Sequence, residues 1–195
     1  NPMPGEVSFA HNGVLFLDEL PEFPKQVTDA LRQPIEDRAV TITRANGRVT
    51  YPCAFMLVAA MNPCRCGYYG HPSGRCTCSP DEVRSYMSRI SGPLLDRIDL
   101  HVELPSLSFE TMSSKRPSES SADIRARVVK ARKFALERMG EDARRYHCNG
   151  MLDSRGIQKY CVLSDAALSL LKQAYEKLGL SARGYDRMLR VSRTI

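Results

Sequence analysis

The feature that most constrains this chain is a four-residue apolar run, Val14 to Leu17, that ends abruptly in two adjacent carboxylates, Asp18 and Glu19. Consecutive apolar side chains without polar alternation suit a parallel strand covered on both faces. A strand of that kind belongs to a sheet with helices packed on it, so the run implies an α/β fold. It also means that two acids emerge together at the C-terminal end of a buried strand.

The rest of the chain agrees with such a sheet. Pro21 to Pro24 break the backbone, and Lys25 to Glu36 reads as a helix whose Val27, Ala30, Leu31 and Ile35 fall at helical spacing. Residues Ala39 to Tyr51 alternate apolar and polar on either side of Asn46-Gly47, a strong hairpin signal. Phe55 to Met61 is a second buried-strand run, closed by Asn62-Pro63, and Leu100 to Leu104 reads as a third strand. Ser79-Pro80 opens a helix reaching about Arg89, with proline at its favoured first position. Residues 106–121 are rich in serine and read as a linker. Beyond them the pattern is helical: Ala122 to Arg138, Asp165 to Leu178, and Ala182 to the end, with Ser164 and Ser181 as N-caps and Gly179 as a stop. The expected organisation is an α/β part over 1–105, a linker over 106–121 and an all-α part over 122–195.

Paired carboxylates at the end of a buried strand form the Walker B arrangement of nucleotide hydrolases. There Asp18 would hold Mg²⁺ and Glu19 would orient and deprotonate the attacking water. A solvated acidic turn after a strand has the same letters. Asn62 follows the second buried run, where an amide can hold the lytic water; Asn-Pro is also an ordinary turn starter. Arg97, in Gly92-Pro93-Leu94-Leu95-Asp96-Arg97, lies between a helix and a strand, from where a guanidinium can reach a neighbouring subunit as an arginine finger. An ion pair with Asp96 or Asp99 is the plainer reading of that residue.

In the order GEVSFAHNGVLFLDELPEF, VAAMNPC, GPLLDRIDLHVELP and SARGYDRMLRVSRTI, the chain resembles the magnesium-chelatase-like proteins of the ComM/YifB group over almost its whole length. The resemblance implies a partial AAA+ P-loop NTPase domain, a parallel sheet with helices, followed by an all-α lid. It implies Asp18 and Glu19 as Walker B, Asn62 as sensor 1, Arg97 as arginine finger and Arg183 as sensor 2, with Arg187 a second candidate for that last role. It further implies ATP with Mg²⁺, a homo-oligomeric ring, a hexamer, and action on DNA. The hairpin would then enter the ring pore, with Arg44 and Arg48 contacting phosphates, which position without specifying sequence. No phosphate-cradling G-x-x-x-x-G-K-[S/T] loop occurs among these residues. The family carries it upstream, so the chain is expected to be a C-terminal piece with a gap in its sheet, inactive as an ATPase alone.

Two features stand outside that resemblance. Cys64-Arg65-Cys66 and Cys76-Thr77-Cys78 are two Cys-x-Cys pairs around a glycine-rich loop. Four thiolates can close a tetrahedral Zn²⁺ site, with His71 able to replace one of them; free thiols or two disulfides are the alternatives. Seven cysteines, an odd number with four grouped, favour a reducing cytoplasm over a disulfide scaffold. Cys53, Cys148 and Cys161 read as packing residues. The net charge of +6 permits a polyanionic partner without requiring one. No apolar run of about 18 residues is present, so no membrane span is expected. Three functions remain open: a DNA-remodelling ATPase, a chelatase- or chaperone-type ATPase acting on a protein, and, for the isolated chain, a non-enzymatic zinc-containing binding module.

Overall fold

A computed structural model describes residues 3–45, 47–107, 109–114 and 118–195. Asn46, of the expected Asn-Gly turn, and residues 108 and 115–117 of the serine-rich segment lie outside that set. The chain divides into two units, Asn1–Ser106 and Leu107–Ile195. The whole is α/β, with a short parallel sheet in the first unit and helices in the second. Among the described residues no helix is long and apolar enough to cross a membrane.

The first unit begins with a single helical turn, α1 (Glu6–Phe9), and the strand β1 (Val14–Leu17). Helices α2 (Lys25–Ala30) and α3 (Arg32–Asp37) lead into the hairpin of β2 (Ala39–Arg44) and β3 (Gly47–Pro52), and then to β4 (Met56–Ala59). Helices α4 (Pro80–Met87) and α5 (Gly92–Leu95) complete it. β1 and β4 pair in parallel, Val14 against Met56 through Leu17 against Ala59. The hairpin is antiparallel, Val40 against Tyr51 and Arg44 against Gly47, and Thr41 and Thr50 share a hydroxyl hydrogen bond of 2.9 Å across it. Buried Leu20, Leu31, Ile90 and Leu94 make the core, with Leu15, Leu17, Ile35 and Ala59 packed on it. Ser79 starts α4 with a reciprocal capping box, its amide donating to Glu82 Oε2 at 2.7 Å.

Three expectations need correction here. The predicted helix over 25–36 is two helices that meet at Leu31. Pro34 has no N–H to give to the carbonyl one turn back, so the ladder cannot run through. Val27 is accordingly exposed, while Leu31 and Pro34 are buried. Residues 100–104 form no strand, and Leu100, Val102 and Leu104 are all exposed. No strand among the described residues lies alongside to take their backbone hydrogen bonds, and a lone extended segment is not a strand. Finally, β1 and β4 are covered on one face only. Leu15 and Leu17 turn to the core, whereas Val14, Phe16, Met56 and Val58 on the other face are each at least 40% exposed.

The second unit holds the short helix α6 (Phe109–Ser113), the long α7 (Ser121–Met139), and α8 (Ser154–Tyr160), α9 (Asp165–Leu178) and α10 (Ala182–Ser192). Ser120, Asp153, Ser164 and Ser181 each cap the helix they precede. Gly179 ends α9 in the left-handed conformation. α8 is a helix too short to show a periodicity in the sequence. Met139, Tyr146, Leu152, Ile157, Tyr160, Cys161, Leu171 and Leu189 form the core. Its two buried tyrosine hydroxyls are paired: that of Tyr146 donates to Asp153 Oδ1 at 2.6 Å and that of Tyr160 to Asp142 Oδ2 at 2.5 Å. These bonds hold both carboxyls below the usual range. For Asp142 the donors are Lys159, then Tyr160; for Asp153 they are Tyr146, then the Gly156 amide.

Candidate functional site

The parallel ladder runs one step beyond β1 and β4. The Ala60 amide donates to the Leu17 carbonyl at 2.9 Å, and the Leu20 amide to the Ala60 carbonyl at 3.0 Å. Asp18 and Glu19 therefore leave β1 beside the chain that runs on from β4 to Asn62, and the three share one edge of the sheet. All three are exposed.

The turn at the carboxylates is tightly specified. The Glu19 amide donates to Asp18 Oδ1 at 2.9 Å. Glu19 itself is left-handed, with φ 51° and ψ 46°, a conformation costing a non-glycine residue about 1–2 kcal/mol. Leu20 and Pro21 hold that strain in place, because both are buried and anchor the next helical turn. Arg89, just beyond α4, donates to the Pro21 carbonyl at 3.3 Å and to Glu22 Oε2 at 3.1 Å, tying that turn to the helix. Strained non-glycine residues held by their surroundings cluster at working sites.

Arg97 lies elsewhere in the unit. Its side chain is only 8% exposed and pairs with Glu36 of α3 at 3.0 Å, while Nη1 donates to the Pro93 carbonyl and Nε is buried without a partner. The partner is Glu36, not Asp96 or Asp99, and nothing in the sequence marked it. Asp29, Arg32, Gln33, Glu36 and Asp37 line an open cleft with Arg97. Ser91 Oγ donates to Asp29 at 2.5 Å and fixes the start of α5 against α2. A guanidinium in this position must release Glu36 before it can serve another molecule.

Arg44 and Arg48 are exposed near the end of the hairpin, where Arg48 stands opposite Thr43. Arg183 and Arg187 both lie on α10 in the second unit, the first exposed and the second half-buried.

The sulfurs of Cys64, Cys66, Cys76 and Cys78 come together, all within 4.8 Å of one another, so the cluster has the donors to hold a metal. All seven cysteines are free, so no pair is a disulfide. His71 is not in the group; its Nδ1 accepts from the Ser73 amide at 3.0 Å. The amides of Tyr68 and Thr77 donate to the Cys66 sulfur and hold its thiol down at about 5. The Cys66 amide acts likewise on Cys78, yet the neighbouring Cys66 sulfur, desolvation and Cys64 push that thiol up to about 11. Negative charge concentrated on one sulfur opposes charge on the next, as in any cluster of acids without a cation between them. Cys53 and Cys161 are buried, whereas Cys148 is only half-buried.

Residues 1–112 match the family described as magnesium chelatase, subunit ChlI, and residues 118–195 match its ChlI C-terminal companion. The chain is 46% identical over its whole length to competence protein ComM of Haemophilus influenzae and 45% identical to uncharacterized protein YifB of Escherichia coli. An uncharacterized protein of Mycobacterium tuberculosis is 39% identical over 97% of the chain. The chain spans 37% of the length of each of these relatives. It belongs to the magnesium chelatase ChlI family, as a magnesium-chelatase-like protein of the ComM/YifB group.

Proposed function

We propose, for a member of the magnesium chelatase ChlI family, that this chain supplies the hydrolytic edge and the lid of an AAA+ ATPase that works as a homo-oligomeric ring, a hexamer, on DNA. The observation that carries this reading is the parallel pairing of β1 with β4, which puts Asp18, Glu19 and Asn62 on one sheet edge. The ATPase proposed is that of a protein of the relatives' length, of which this chain spans 37%.

Each group has a role its chemistry suits. Asp18 offers an exposed carboxylate to hydrated Mg²⁺, a hard cation that takes oxygen ligands and keeps several waters. Glu19, held in its strained turn, orients a water and takes its proton, and the Asn62 amide fixes the same water. Bound Mg-ATP supplies the electrophilic phosphoryl group. Arg97 serves a neighbouring subunit once released from Glu36, and Arg183 or Arg187 brings the lid's charge to the nucleotide. Arg44 and Arg48 contact DNA phosphates.

The test uses full-length protein. Glu19→Gln is expected to bind ATP normally and to lower turnover about 10²–10⁴-fold, the range for a lost general base. Turnover within a few-fold of wild type removes Glu19 from the mechanism. Arg44→Ala with Arg48→Ala is expected to reduce the salt dependence of DNA affinity by about two phosphate contacts. A second reading, for a chain whose family is described as a magnesium chelatase subunit, is a chelatase- or chaperone-type ATPase subunit acting on a protein partner. Turnover indifferent to DNA would favour it.

A further inference from the structure

Residues 62–79, between β4 and α4, contain no helix or strand. Three glycines in this segment have left-handed φ, Gly67 at 81°, Gly70 at 76° and Gly74 at 64°. Fixing each residue's backbone costs about 1–2 kcal/mol, so an ordered segment of this length needs a strong compensating interaction. Apolar burial does not provide it, since Cys64 is the only fully buried side chain here and Tyr68 and Tyr69 are 40% and 55% exposed.

What the segment does have is sulfur convergence. Cys64 Sγ lies 3.3 Å from Cys66 Sγ and 3.9 Å from Cys76 Sγ, and Cys66 and Cys76 are 3.6 Å apart. Four sulfurs about 2.3 Å from one tetrahedral Zn²⁺ stand about 3.8 Å from each other, whereas a disulfide requires about 2.05 Å. The donor set contains no histidine or carboxylate, which selects a thiophilic cation over a hard one. Amides of Tyr68 and Thr77 point at Cys66 Sγ, the outer-shell arrangement that steadies thiolate ligands. Arg65 and Arg75 each adjoin a ligand in sequence, two cations beside a site whose four thiolates and one Zn²⁺ sum to two negative charges.

We propose that Cys64, Cys66, Cys76 and Cys78 bind one Zn²⁺ in a closed structural site that holds segment 62–79 in shape and, through it, fixes Asn62. Four protein sulfurs leave no open coordination position, so the metal does no chemistry of its own. It ties the exit of β4 to the Ser79 cap of α4. The metal site stands on the sulfur geometry alone. Only the consequence for Asn62 rests on the proposed hydrolytic role of that edge.

Full-length protein purified without chelator is expected to contain one zinc per chain, with four sulfur neighbours by X-ray absorption. Cobalt exchanged into the site should show thiolate-to-metal charge-transfer absorption, which oxygen or nitrogen ligation would not give. Cys76→Ser with Cys78→Ser, both on half-buried positions, should bring the zinc content close to zero. Metal removal should speed amide exchange across 62–79 at least about tenfold while leaving 107–195 as it was. Metal-free protein with the same protection across 62–79 would overturn the proposal, as would iron in place of zinc or zinc retained by the double variant. Asn62→Ala separates the two readings, since it should slow turnover and leave zinc content unchanged. Full zinc with unaltered turnover in that variant would retire Asn62 as a water-orienting residue and keep the metal site.

Discussion

The unit over 1–106 and the unit over 107–195 solve the problem of order differently. The second closes eight buried side chains into one core and pairs its tyrosine hydroxyls with Asp142 and Asp153 inside the same packing. The first has four, Leu20, Leu31, Ile90 and Leu94, and leaves one face of its parallel sheet exposed. Its carboxylate edge is held by local devices instead: a left-handed Glu19 anchored by Leu20, the Arg89 clamp on Glu22, and a convergence of sulfurs. In the proposed hydrolytic role that edge has to stay open to solvent and nucleotide, so it cannot be stabilised by being buried. The helical unit carries no such requirement around its core.

The comparison is broken or sharpened most by truncating one buried leucine in each unit. Leu94 is 0% and Leu152 is 1% exposed, so either change to alanine is expected to cost about 2–5 kcal/mol. The smaller core has fewer neighbours to share the loss, so amide exchange should accelerate further in 1–106 for Leu94→Ala than in 107–195 for Leu152→Ala. Equal acceleration in the two units would sink the contrast.

Gly156→Ala probes how tightly the second core is closed. A Cβ at that position would meet Leu152 Cδ2 at 2.9 Å and the Tyr146 ring at 3.1 Å, two side chains that are themselves buried. Overpacking of this kind costs about 1–3 kcal/mol, to be read as a lower denaturation midpoint with an unchanged slope. The same substitution at Gly74, where nothing lies within 4 Å of the added carbon, meets only the strain of a positive φ.

The smallest effect is the pH response of the helical unit. Asp142 and Asp153 titrate below the ordinary aspartate value of about 3.9 in the folded chain, so they contribute stability above that pH. That contribution is lost as pH falls through their folded values. Circular dichroism at intermediate urea should therefore show 107–195 weakening below about pH 4, and Asp142→Asn with Asp153→Asn should flatten the response. An unchanged profile would mean that these hydrogen bonds are as strong with the protonated acids.

The helices of the second unit were legible because their signals are local. Ser164 and Ser181 accept from the amide three residues on, and Gly179 takes the left-handed turn that ends α9. The hairpin was legible for the same reason, with the antiparallel strands Ala39–Arg44 and Gly47–Pro52 only two residues apart in sequence. The break at Leu31 was also written in the sequence, in Pro34, but the apolar spacing around it read through. The extended segment at 100–104 misled because alternation reports what a strand would look like, not whether a neighbour exists to pair with it.

By itself the sequence determined the things that depend on residues within about one turn of each other: the capped helix starts, the hairpin, two apolar strands and the acids that end one of them. Only the tertiary structure decided which distant groups meet. It paired β1 with β4 so that Glu19 and Asn62 share an edge, and it gave Arg97 to Glu36. It brought Cys64 and Cys66 to Cys76 and left Val14 and Phe16 exposed. The physical reason is that an ion pair, a ladder or a metal site takes its energy from groups the chain separates. Their meeting is set by how the whole unit packs, and of these groups only the two Cys-x-Cys pairs carried a sequence signal of it.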